Sequence, residues 1–428
     1  MVAAKKFTAI DGCQPYHQGM TSFDQAVAAV TDQIQSAIAE KTPLQICGGG
    51  SKDFYVPHGK DRLLRTRALN GNIVYEPSEL VVTAGAGTPL IDIEHMLAAQ
   101  GQCLPFEPPH YSWSCTGESP ATLGGMVACG LSGPARANAG AAREFVLGLK
   151  LINGLGQQLT FGGQVMKNVA GYDVSRLMVG AFGTLGVLTE VSLKVLPIAP
   201  AETTLCFELG QEQALEQLHR WGAQPLPLNA SCWVFDGALA GSKHLLFVRL
   251  RGAVAAVEAA SVRMLRDAPG TRMDSPDAAA QARSFWEHCR NQQLPFFVQG
   301  GGPDDALWRL SVPQTAPVLG FDFAAHNTMV EWHGAQRWLW APLRQQAHIE
   351  AAAAAAGGSA CIFVMPTDSG VTGPDAAGLA MRLPQAGSRL LPSGSASAAT
   401  AAIARRLRAS FDPHGIFNPA FEPLVHAN

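Results

Sequence analysis

The feature that most restricts how this chain can fold is a short strand-like run that passes directly into a glycine-rich loop. Residues 44–47 (LQIC) predict a buried strand, and Gly48-Gly49-Gly50-Ser51-Lys52 follows at once. Three glycines allow positive φ angles and let the backbone come close to a ligand. Successive N–H groups can then converge on an anion, with the Ser51 hydroxyl as a further donor. The loop predicts either a diphosphate site or a tight turn, and it does not decide between them.

Two other nucleotide-binding patterns do not match this region. The Walker A pattern, G-x-x-x-x-G-K-[ST], is absent near the loop. Gly85-Ala86-Gly87 comes close to the G-x-G-x-x-G fingerprint of dinucleotide-binding folds, but Leu90 stands where the third glycine is required. The glycine-rich loop therefore belongs to neither of these two classes.

The first two hundred residues predict a mixture of helices and strands. Ser22, with Gln25 three residues later, predicts the capping box of a helix that ends before Pro43. Thr88 and Pro89 predict the cap and the first position of a second helix, and Thr122 predicts the start of a short third one. Strands are expected at 73–76, 81–86, 144–152, 158–161 and 187–196, with a hairpin turn at 153–156.

A chain of 428 residues is too long for one ordinary core, so two or three domains are expected. The proline-rich segment 197–200 (PIAP) predicts a domain edge. Beyond it, strands are expected at 245–250, 307–312, 329–332 and 361–365, and helices near 211–221, 253–266 and 342–356. This alternation predicts a second α/β unit with its own sheet. The segment 367–397, rich in Gly, Pro, Ser and Ala, predicts a flexible loop.

Composition excludes several classes of function. Hydrophobic residues make up 47% of the chain, and a formal net charge of -3 gives no field that would attract nucleic acid. The nine cysteines form no C-x-x-C pair, so we expect buried thiols in a reducing cytoplasm and no zinc or iron–sulfur site from this chain alone. The first twelve residues lack the apolar core of a signal peptide, and no apolar run reaches the length of a membrane span.

Three further segments follow the glycine-rich loop in a recognisable order. They are Thr122-Leu123-Gly124-Gly125, residues 180–190 (GAFGTLGVLTE) and residues 411–419 (FDPHGIFNP). With the loop they resemble the flavin-dependent 2-hydroxy-acid oxidases and dehydrogenases. Residues 161–177 and 331–338 are similar to the FAD-binding subunits of bacterial glycolate oxidase. The likeness extends from about residue 20 to residue 419 and is most specific over 122–197.

The resemblance implies an α+β chain. It implies a vanillyl-alcohol-oxidase-like FAD-binding domain, also called the p-cresol-methylhydroxylase (PCMH) type, at 15–200. A second α/β cap domain with a mostly antiparallel sheet follows at 201–410, and a C-terminal segment, 411–428, returns to the first domain. The motif at the C-terminus departs from the family pattern, because Ala420-Phe421 stands where glycine and a basic residue are usual.

The resemblance also implies where FAD binds. The pyrophosphate is expected on Gly48, Gly49, Gly50, Ser51 and Lys52, with help from the backbone of Gly124 and Gly125. Gly186 and Val187 are expected near the adenine or the ribose. Some members attach FAD covalently through a histidine in the first loop. Ser51 and Lys52 stand at that place, so noncovalent FAD is expected.

Oxidation of a 2-hydroxy acid requires a hydride acceptor, a base for the hydroxyl proton and a cation that holds the carboxylate. Candidates for the cation are Arg176 and Arg337, and His333 is the candidate base. Lys167 and Tyr172 are possible polar contacts near the flavin. Each has a structural alternative: Arg337 can stack with a tryptophan in the core or at an interface, and His333 can be a hydrogen-bonded core histidine.

The catalytic relatives carry a G-H-x-G-D-G-N-x-H block that this sequence lacks, and Glu331 with His333 are too few ligands for a metal site. The resemblance implies a cytoplasmic complex with a second flavin subunit and an iron–sulfur subunit, touching the inner membrane at most through its partners. Glycolate or a similar acid would be its substrate and glyoxylate its product. The alternatives are a self-sufficient 2-hydroxy-acid dehydrogenase and a non-catalytic FAD scaffold. Trp308, Trp332, Trp338 and Trp340 could form an interface or pack in the core.

Overall fold

The computed structural model describes residues 21–55, 61–111, 121–163, 173–236, 243–321, 327–366 and 398–421. Lys167, Tyr172 and the Gly/Ser-rich segment 367–397 lie outside the described residues, so the predictions made for them stay predictions. The described chain forms an N-terminal unit, up to residue 200, and a C-terminal unit that begins at residue 201. A last segment returns to the N-terminal unit.

The first helix, α1 (Ser22–Glu40), is capped one residue earlier than the sequence predicts. Thr21 Oγ1 accepts from the backbone N–H of Asp24 at 3.1 Å, and the Asp24 carboxylate accepts from the backbone N–H of Thr21 at 3.2 Å. The predicted box of Ser22 and Gln25 is therefore wrong, because Thr21 and Asp24 supply the same reciprocal pair of bonds one position before it. Val30 and Ile34, on the apolar face of the helix, are buried in the core.

The N-terminal unit contains a five-stranded antiparallel sheet in the order β3-β4-β8-β6-β7. Two short pairs accompany it, the parallel pair β1-β2 and the antiparallel pair β5-β9. The strands are β1 (Leu44–Cys47), β2 (Arg62–Arg65), β3 (Val74–Glu76), β4 (Val81–Gly85), β5 (Gln102–Cys103), β6 (Val146–Ile152), β7 (Gln158–Gly162), β8 (Val187–Lys194) and β9 (Leu196–Pro197). All five strands predicted here from the pattern are confirmed within two residues, and so is the strand at 44–47.

The helices of this unit are α2 (Leu90–Ala98), α3 (Leu123–Cys129), α4 (Arg136–Ala139) and α5 (Val174–Leu177). Thr122 caps α3 as predicted, because its Oγ1 accepts from the backbone N–H of Gly125 at 3.3 Å. The cap predicted for α2 is wrong. Pro89 occupies the cap position, and the hydroxyl of Thr88 accepts from the backbone N–H of Gly71 at 3.1 Å instead.

The C-terminal unit contains an eight-stranded antiparallel sheet in the order β13-β10-β12-β11-β15-β16-β14-β17. Its strands are β10 (Ala201–Glu208), β11 (Leu228–Asp236), β12 (Lys243–Gly252), β13 (Gly270–Arg272), β14 (Asp305–Ser311), β15 (Thr328–Glu331), β16 (Gln336–Pro342) and β17 (Ser359–Val364). Its helices are α6 (Gln211–Gly222), α7 (Val254–Asp267), α8 (Pro276–Asn291), α9 (Pro295–Val298) and α10 (Gln346–Ala355). The predicted second sheet is confirmed. The sequence pattern did not reveal β10, β11, β16 and α8, whose residues mix polar and apolar types, nor the short elements β13 and α9.

The two faces of this sheet contact different parts of the molecule, because side chains alternate along a strand. On the face that we call the inner face, Trp338 packs in one cluster with Phe54 and Tyr111 of the N-terminal unit. On the outer face, Trp308 and Leu339 pack beneath α10. Any side chain of the sheet that reaches the N-terminal unit must therefore stand on the inner face.

A buried ion pair also joins the two units. Glu107, in the N-terminal unit, accepts from Arg249 at 2.6 Å and from Arg251 at 3.1 Å, both on β12. Burial raises the pKa of the Glu107 carboxyl, but the two arginine charges outweigh it and hold that pKa below its usual range. The carboxylate therefore stays charged and ties β12 to the N-terminal unit.

The last described segment contains α11 (Ala398–Phe411) and a return to β1. The backbone N–H of Leu44 donates to the Ile416 carbonyl at 2.7 Å, and the backbone N–H of Asn418 donates to the Leu44 carbonyl at 2.9 Å. Phe417, between them, is fully buried. This contact is made although Ala420-Phe421 departs from the family pattern.

The tryptophans that could have formed an interface lie in the core. Trp308, Trp332, Trp338 and Trp340 are all buried, and each indole N–H donates a hydrogen bond within the chain. The alternative of core packing is therefore confirmed for them, and the alternative of an exposed interface is wrong. No helix in the described residues has both the length and the hydropathy that a membrane crossing requires. The seven cysteines in the described residues are free thiols.

Candidate active site

The glycine-rich loop, the start of α3 and the loop before β8 open onto one cleft, whose empty space is about 890 Å³ when the part open to solvent is included. Every cofactor residue predicted from the sequence lines the cleft except Val187, whose side chain is buried in the core beside Ile34 and Leu44. The cleft therefore gathers three segments that are far apart in the sequence.

The wall of the cleft requires glycine at two positions. A Cβ on Gly48 would lie 2.5 Å from Oγ1 of Thr122, and a Cβ on Gly124 would lie 2.8 Å from the Cβ of Ala86. Non-bonded atoms do not approach this closely, so a side chain cannot be accommodated at either position. The backbone at Gly48 and at Gly124 is therefore packed directly against the neighbouring residues. A backbone that carries no side chain can approach a diphosphate closely.

The loop also brings a cation to the cleft. The side chains of Ser51 and Lys52 are buried at the cleft wall, and Lys52 Nζ donates to Ser51 Oγ at 3.3 Å. The same ammonium group lies 5.7 Å from the ring centroid of Tyr111. A buried ammonium beside a glycine-rich backbone suits a diphosphate. The residues of the cleft therefore fit FAD.

Asn418 fixes the opposite wall of the cleft. Its Oδ1 accepts from the backbone N–H of Ile46 at 2.8 Å, and its Nδ2 donates to the Phe182 carbonyl at 2.6 Å. All three residues line the cleft. The motif at 411–419 suggested that this end of the chain matters, but only the fold shows that Asn418 holds β1 and the loop before β8 together.

The structure does not bring the three predicted catalytic residues to the cleft. Arg176 lies on the surface and pairs with Asp173 at 3.0 Å. Arg337, on the outer face of β16, donates to the Gly334 carbonyl at 2.6 Å and to the Ala316 carbonyl at 3.0 Å. Burial lowers its pKa to about 10.

His333 lies in the turn between β15 and β16. Its backbone N–H donates to Ser231 Oγ at 2.9 Å, and its Nδ1 lies 3.0 Å from the same oxygen. Burial lowers the pKa of His333 to about 4, so the ring is neutral at pH 7. It lines a different cavity, with His219 and Gln314. The catalytic roles of Arg176, His333 and Arg337 stay predictions, and their contacts are those of structural residues.

A second pocket lies between the inner face of the sheet and the N-terminal unit, with an empty space of about 320 Å³ that includes its opening to solvent. We call it the inter-unit pocket. The N-terminal unit contributes residues 131–134 and Tyr111. The C-terminal unit contributes polar side chains from several elements, which are Arg290, Gln292, Arg309, Glu331 and Gln336. None of these was predicted as a substrate contact, because they are scattered along the sequence and no local motif joins them.

The polar groups of the inter-unit pocket form a chain of hydrogen bonds. Arg309 Nε donates to Gln336 Oε1 at 3.0 Å, and Gln336 Nε2 donates to Glu331 Oε2 at 3.0 Å. Trp338 Nε1 donates to the same Glu331 oxygen at 2.6 Å. Burial raises the pKa of Glu331 to about 7, although these two hydrogen bonds and the charge of Arg309 oppose it. The carboxyl therefore exchanges a proton near neutral pH.

Comparison with protein families finds a match to the model of the FAD binding domain over residues 25–162. The glycolate oxidase subunit GlcE of Escherichia coli (strain K12) is 45% identical over 311 residues, which cover 73% of this chain and 79% of that protein. The glycolate oxidase subunit GlcD of Bacillus subtilis is 29% identical over 160 residues, or 37% of this chain and 32% of that one. A D-2-hydroxyglutarate dehydrogenase of Xanthomonas citri is 28% identical over 184 residues, or 43% of this chain and 37% of that one.

Among solved structures, an alkyldihydroxyacetonephosphate synthase superposes with a TM-score of 0.60 at 16% identity. The match covers 91% of this chain and 75% of that one. At this identity the likeness shows the fold alone. The predicted fold class, α+β with a PCMH-type FAD-binding domain and a second unit with an antiparallel sheet, is confirmed.

Proposed function

Because the chain belongs to the family of the glycolate oxidase subunit GlcE, we propose that it works in a complex that oxidises glycolate or a similar small 2-hydroxy acid. The chain is an FAD-binding oxidoreductase of the 2-hydroxy-acid class. The observation that carries the proposal is the cleft onto which the glycine-rich loop, the start of α3 and the loop before β8 converge.

The residues of the cleft have separate tasks. The backbone of 48–50, with the Lys52 ammonium, holds the diphosphate of FAD, and Gly124 and Gly125 help it. Asn418 keeps the opposite wall in place. When bound, FAD accepts the hydride that leaves the α-carbon of the substrate. Cys129 and Phe182 line the cleft and pack against the aromatic cluster of the inner face, so this cluster keeps water away from that side of the cleft.

We propose that FAD is held without a covalent bond. Ser51 and Lys52 stand where covalent members of the superfamily have a histidine, and no histidine lines the described part of the cleft. The domain boundaries at residues 200 and 410 remain part of the proposal. They agree with the change of sheet after β9 and with the return of the chain to β1.

The oxidation of glycolate to glyoxylate releases two electrons and two protons. Among the described residues, no group of three or more His, Cys, Asp or Glu side chains could hold a metal ion. We therefore propose that the electrons travel through the complex, by way of a second flavin subunit and an iron–sulfur subunit. We place this complex in the cytoplasm, in contact with the inner membrane at most through its partner subunits.

A second candidate function is an FAD-binding scaffold subunit that does not act on substrate. The observation that favours it is that Arg176, His333 and Arg337 do not line the cleft. An anaerobic addition of glycolate to the purified chain, and then to the purified complex, separates the two functions. Flavin absorbance of the isolated chain that bleaches with glycolate supports catalysis by this chain. If the isolated chain keeps its absorbance while the complex, with its second flavin subunit, is bleached by glycolate, the scaffold is supported.

A further inference from the structure

The inter-unit pocket contains an arginine that forms no direct ion pair with the described residues. Of the two arginines that line it, Arg290 pairs with Glu94 and also donates to the Pro108 carbonyl at 2.8 Å. Arg309 forms no ion pair with a carboxylate of the described residues. A partly buried guanidinium that has no carboxylate within ion-pair distance can bind an anion without first breaking an ion pair. The pocket therefore favours an anionic ligand beside Arg309.

The same pocket offers two unused acceptors. Glu331 accepts both of its hydrogen bonds through Oε2, and its Oε1 accepts none from the described residues. Gln292 is 5% exposed, and its buried Oε1 has no partner there. A guanidinium donor next to these acceptors fits a molecule that carries both a carboxylate and a hydroxyl group.

The alternation of side chains explains why these groups meet. Arg309 on β14, Glu331 on β15 and Gln336 on β16 all belong to the inner-face positions of their strands. Arg337, one residue along, belongs to the outer face. The sheet therefore presents the polar groups of three neighbouring strands to the N-terminal unit.

The inter-unit pocket adjoins the FAD cleft. Cys129 lines the cleft and Leu131 lines the pocket, so their Cα atoms, two residues apart, are separated by at most about 7.6 Å. On another side, Lys52 lines the cleft and lies 5.7 Å from the ring centroid of Tyr111, which lines the pocket. The inter-unit pocket therefore borders the cleft that is assigned to FAD.

We propose that the inter-unit pocket binds the 2-hydroxy acid, with Arg309 holding its carboxylate and Glu331 Oε1 accepting its hydroxyl proton. This assignment rests on the proposed function. In the reaction the O–H bond breaks and its proton goes to Glu331, while the C–H bond breaks and the hydrogen leaves with its electron pair to FAD. A carbon–oxygen double bond forms, and the product is the 2-oxo acid.

The surroundings of Glu331 suit a proton acceptor. A group whose pKa lies near the working pH is the most effective base, and burial brings the pKa of this carboxyl to about 7. The titratable groups that face it are Arg309 from β14 and the thiols of Cys232 from β11 and Cys289 from α8. Burial raises the pKa of both thiols, so they remain neutral at pH 7 and Arg309 supplies the only full charge among these three groups.

The first test measures binding without turnover. Oxalate, a two-carbon acid that cannot be oxidised in this way, is titrated by calorimetry into the FAD-loaded complex. Arg309→Gln should weaken oxalate binding at least about tenfold, because a hydrogen-bonded charge pair is lost. The oxalate affinity of Arg309→Lys should lie between that of the unchanged protein and that of Arg309→Gln. The control Arg263→Gln, on the exposed face of α7, should bind oxalate as the unchanged protein does. Equal binding by Arg309→Gln, with an unchanged flavin spectrum, overturns the assignment.

The second test separates a base from a structural carboxyl. Glu331→Gln should bind oxalate within about threefold of the unchanged protein, yet its flavin should be reduced by glycolate at least about 100-fold more slowly. The reduction rate should also lose its inflection near pH 7, and the infrared band of a carboxyl that titrates there should disappear. A rate that keeps its inflection in Glu331→Gln overturns the role as base.

Failure of the assignment and failure of the proposed function give different results. If glycolate bleaches the flavin of the Arg309→Gln complex with an unchanged KM, the function stands and the pocket assignment is overturned. If glycolate bleaches no flavin in the unchanged complex while oxalate binding still depends on Arg309, the proposed function is overturned and a carboxylate pocket is supported.

Discussion

Replacing Gly48 with alanine tests whether the glycine-rich loop shapes the cofactor cleft. The new Cβ would lie 2.5 Å from Thr122 Oγ1, about 1 Å inside ordinary contact. Thr122 cannot swing away without losing the bond that it accepts from the backbone N–H of Gly125 at 3.3 Å. Overpacking of this kind costs about 1–3 kcal/mol. Relief of the overlap by movement of the loop should weaken FAD binding about 5- to 150-fold.

The assay is a fluorescence titration of FAD into the apoprotein, with the midpoint of thermal unfolding as a second reading. Gly222→Ala is the matched control, because a Cβ at this helical position meets no atom within 4 Å. It should leave FAD affinity unchanged and raise stability slightly, by up to about 1 kcal/mol. If the Gly48→Ala protein binds FAD as tightly as Gly222→Ala does, close packing of the loop against Thr122 does not shape the cofactor cleft.

A second substitution identifies the contact responsible. Thr122→Ala removes the oxygen that the new Cβ would meet and leaves the Thr122 Cβ at 3.7 Å, an ordinary contact. Alone it should cost about 1 kcal/mol, because α3 loses its cap. In the double variant the loss should be smaller than the sum of the two single losses. Additive losses would mean that Gly48 acts through something other than Thr122.

Three further predictions concern buried contacts that stabilise the fold. Asn418→Ala removes two hydrogen bonds that hold the cleft wall, and should lower the free energy of unfolding by about 2 kcal/mol and also weaken FAD binding. Glu107→Gln leaves Arg249 buried without its charge partner, and should lower the free energy of unfolding by about 3–5 kcal/mol, whereas Glu208→Gln, at an exposed pair, should change it by less than about 1 kcal/mol. His333→Asn should flatten the dependence of stability on pH between 6.5 and 4.

The sign of the last prediction follows from linkage. The pKa of His333 is about 4 in the folded chain against an ordinary value of 6.5, so the unfolded chain binds a proton that the folded chain does not. The stability that this residue contributes is present above pH 6.5 and is lost as the pH falls through 4. The loss should be on the order of 2 kcal/mol, because the residue as a whole keeps some exposure to solvent although its ring nitrogen Nε2 is buried. Urea unfolding at several pH values measures it, and equal slopes in both proteins would contradict it.

Urea unfolding at pH 7 tests the predictions for Glu107 and Asn418. If Glu107→Gln and Glu208→Gln destabilise the chain equally, the ion pair does not tie the two units together. If Asn418→Ala unfolds as the unchanged protein does and binds FAD equally well, the cleft wall does not depend on the return of the chain to β1.

Local features of the sequence predicted most of the N-terminal unit. The strand at 44–47, the hairpin at 153–156 and the cap at Thr122 depend on residues that are adjacent in the chain, and all three are present. The capping box of α1 was placed one residue late because Thr21 and Ser22 are both good caps. Only the bonds to Asp24 distinguish them.

The candidate substrate site could not be predicted in this way. Arg309, Glu331 and Gln292 meet only because three neighbouring strands and the end of α8 face residues 131–134 across the two units. The motif at 331–338 drew attention to His333 and Arg337. His333 lies in the turn between β15 and β16, and Arg337 points to the outer face because side chains alternate along β16. Of the residues in this motif, Glu331 stays on the inner face. A motif therefore locates a site in the chain, while the strand register decides which of its residues enter the site.

The FAD content of the purified chain shows whether the cleft binds the cofactor. The chain is purified without added flavin, its visible spectrum is recorded, and acid precipitation then separates protein from free cofactor. We expect stoichiometric FAD that is released into the supernatant, because the cleft holds the cofactor without a covalent bond. A colourless chain that takes up no FAD on reconstitution would contradict the claim that this cleft is the cofactor site.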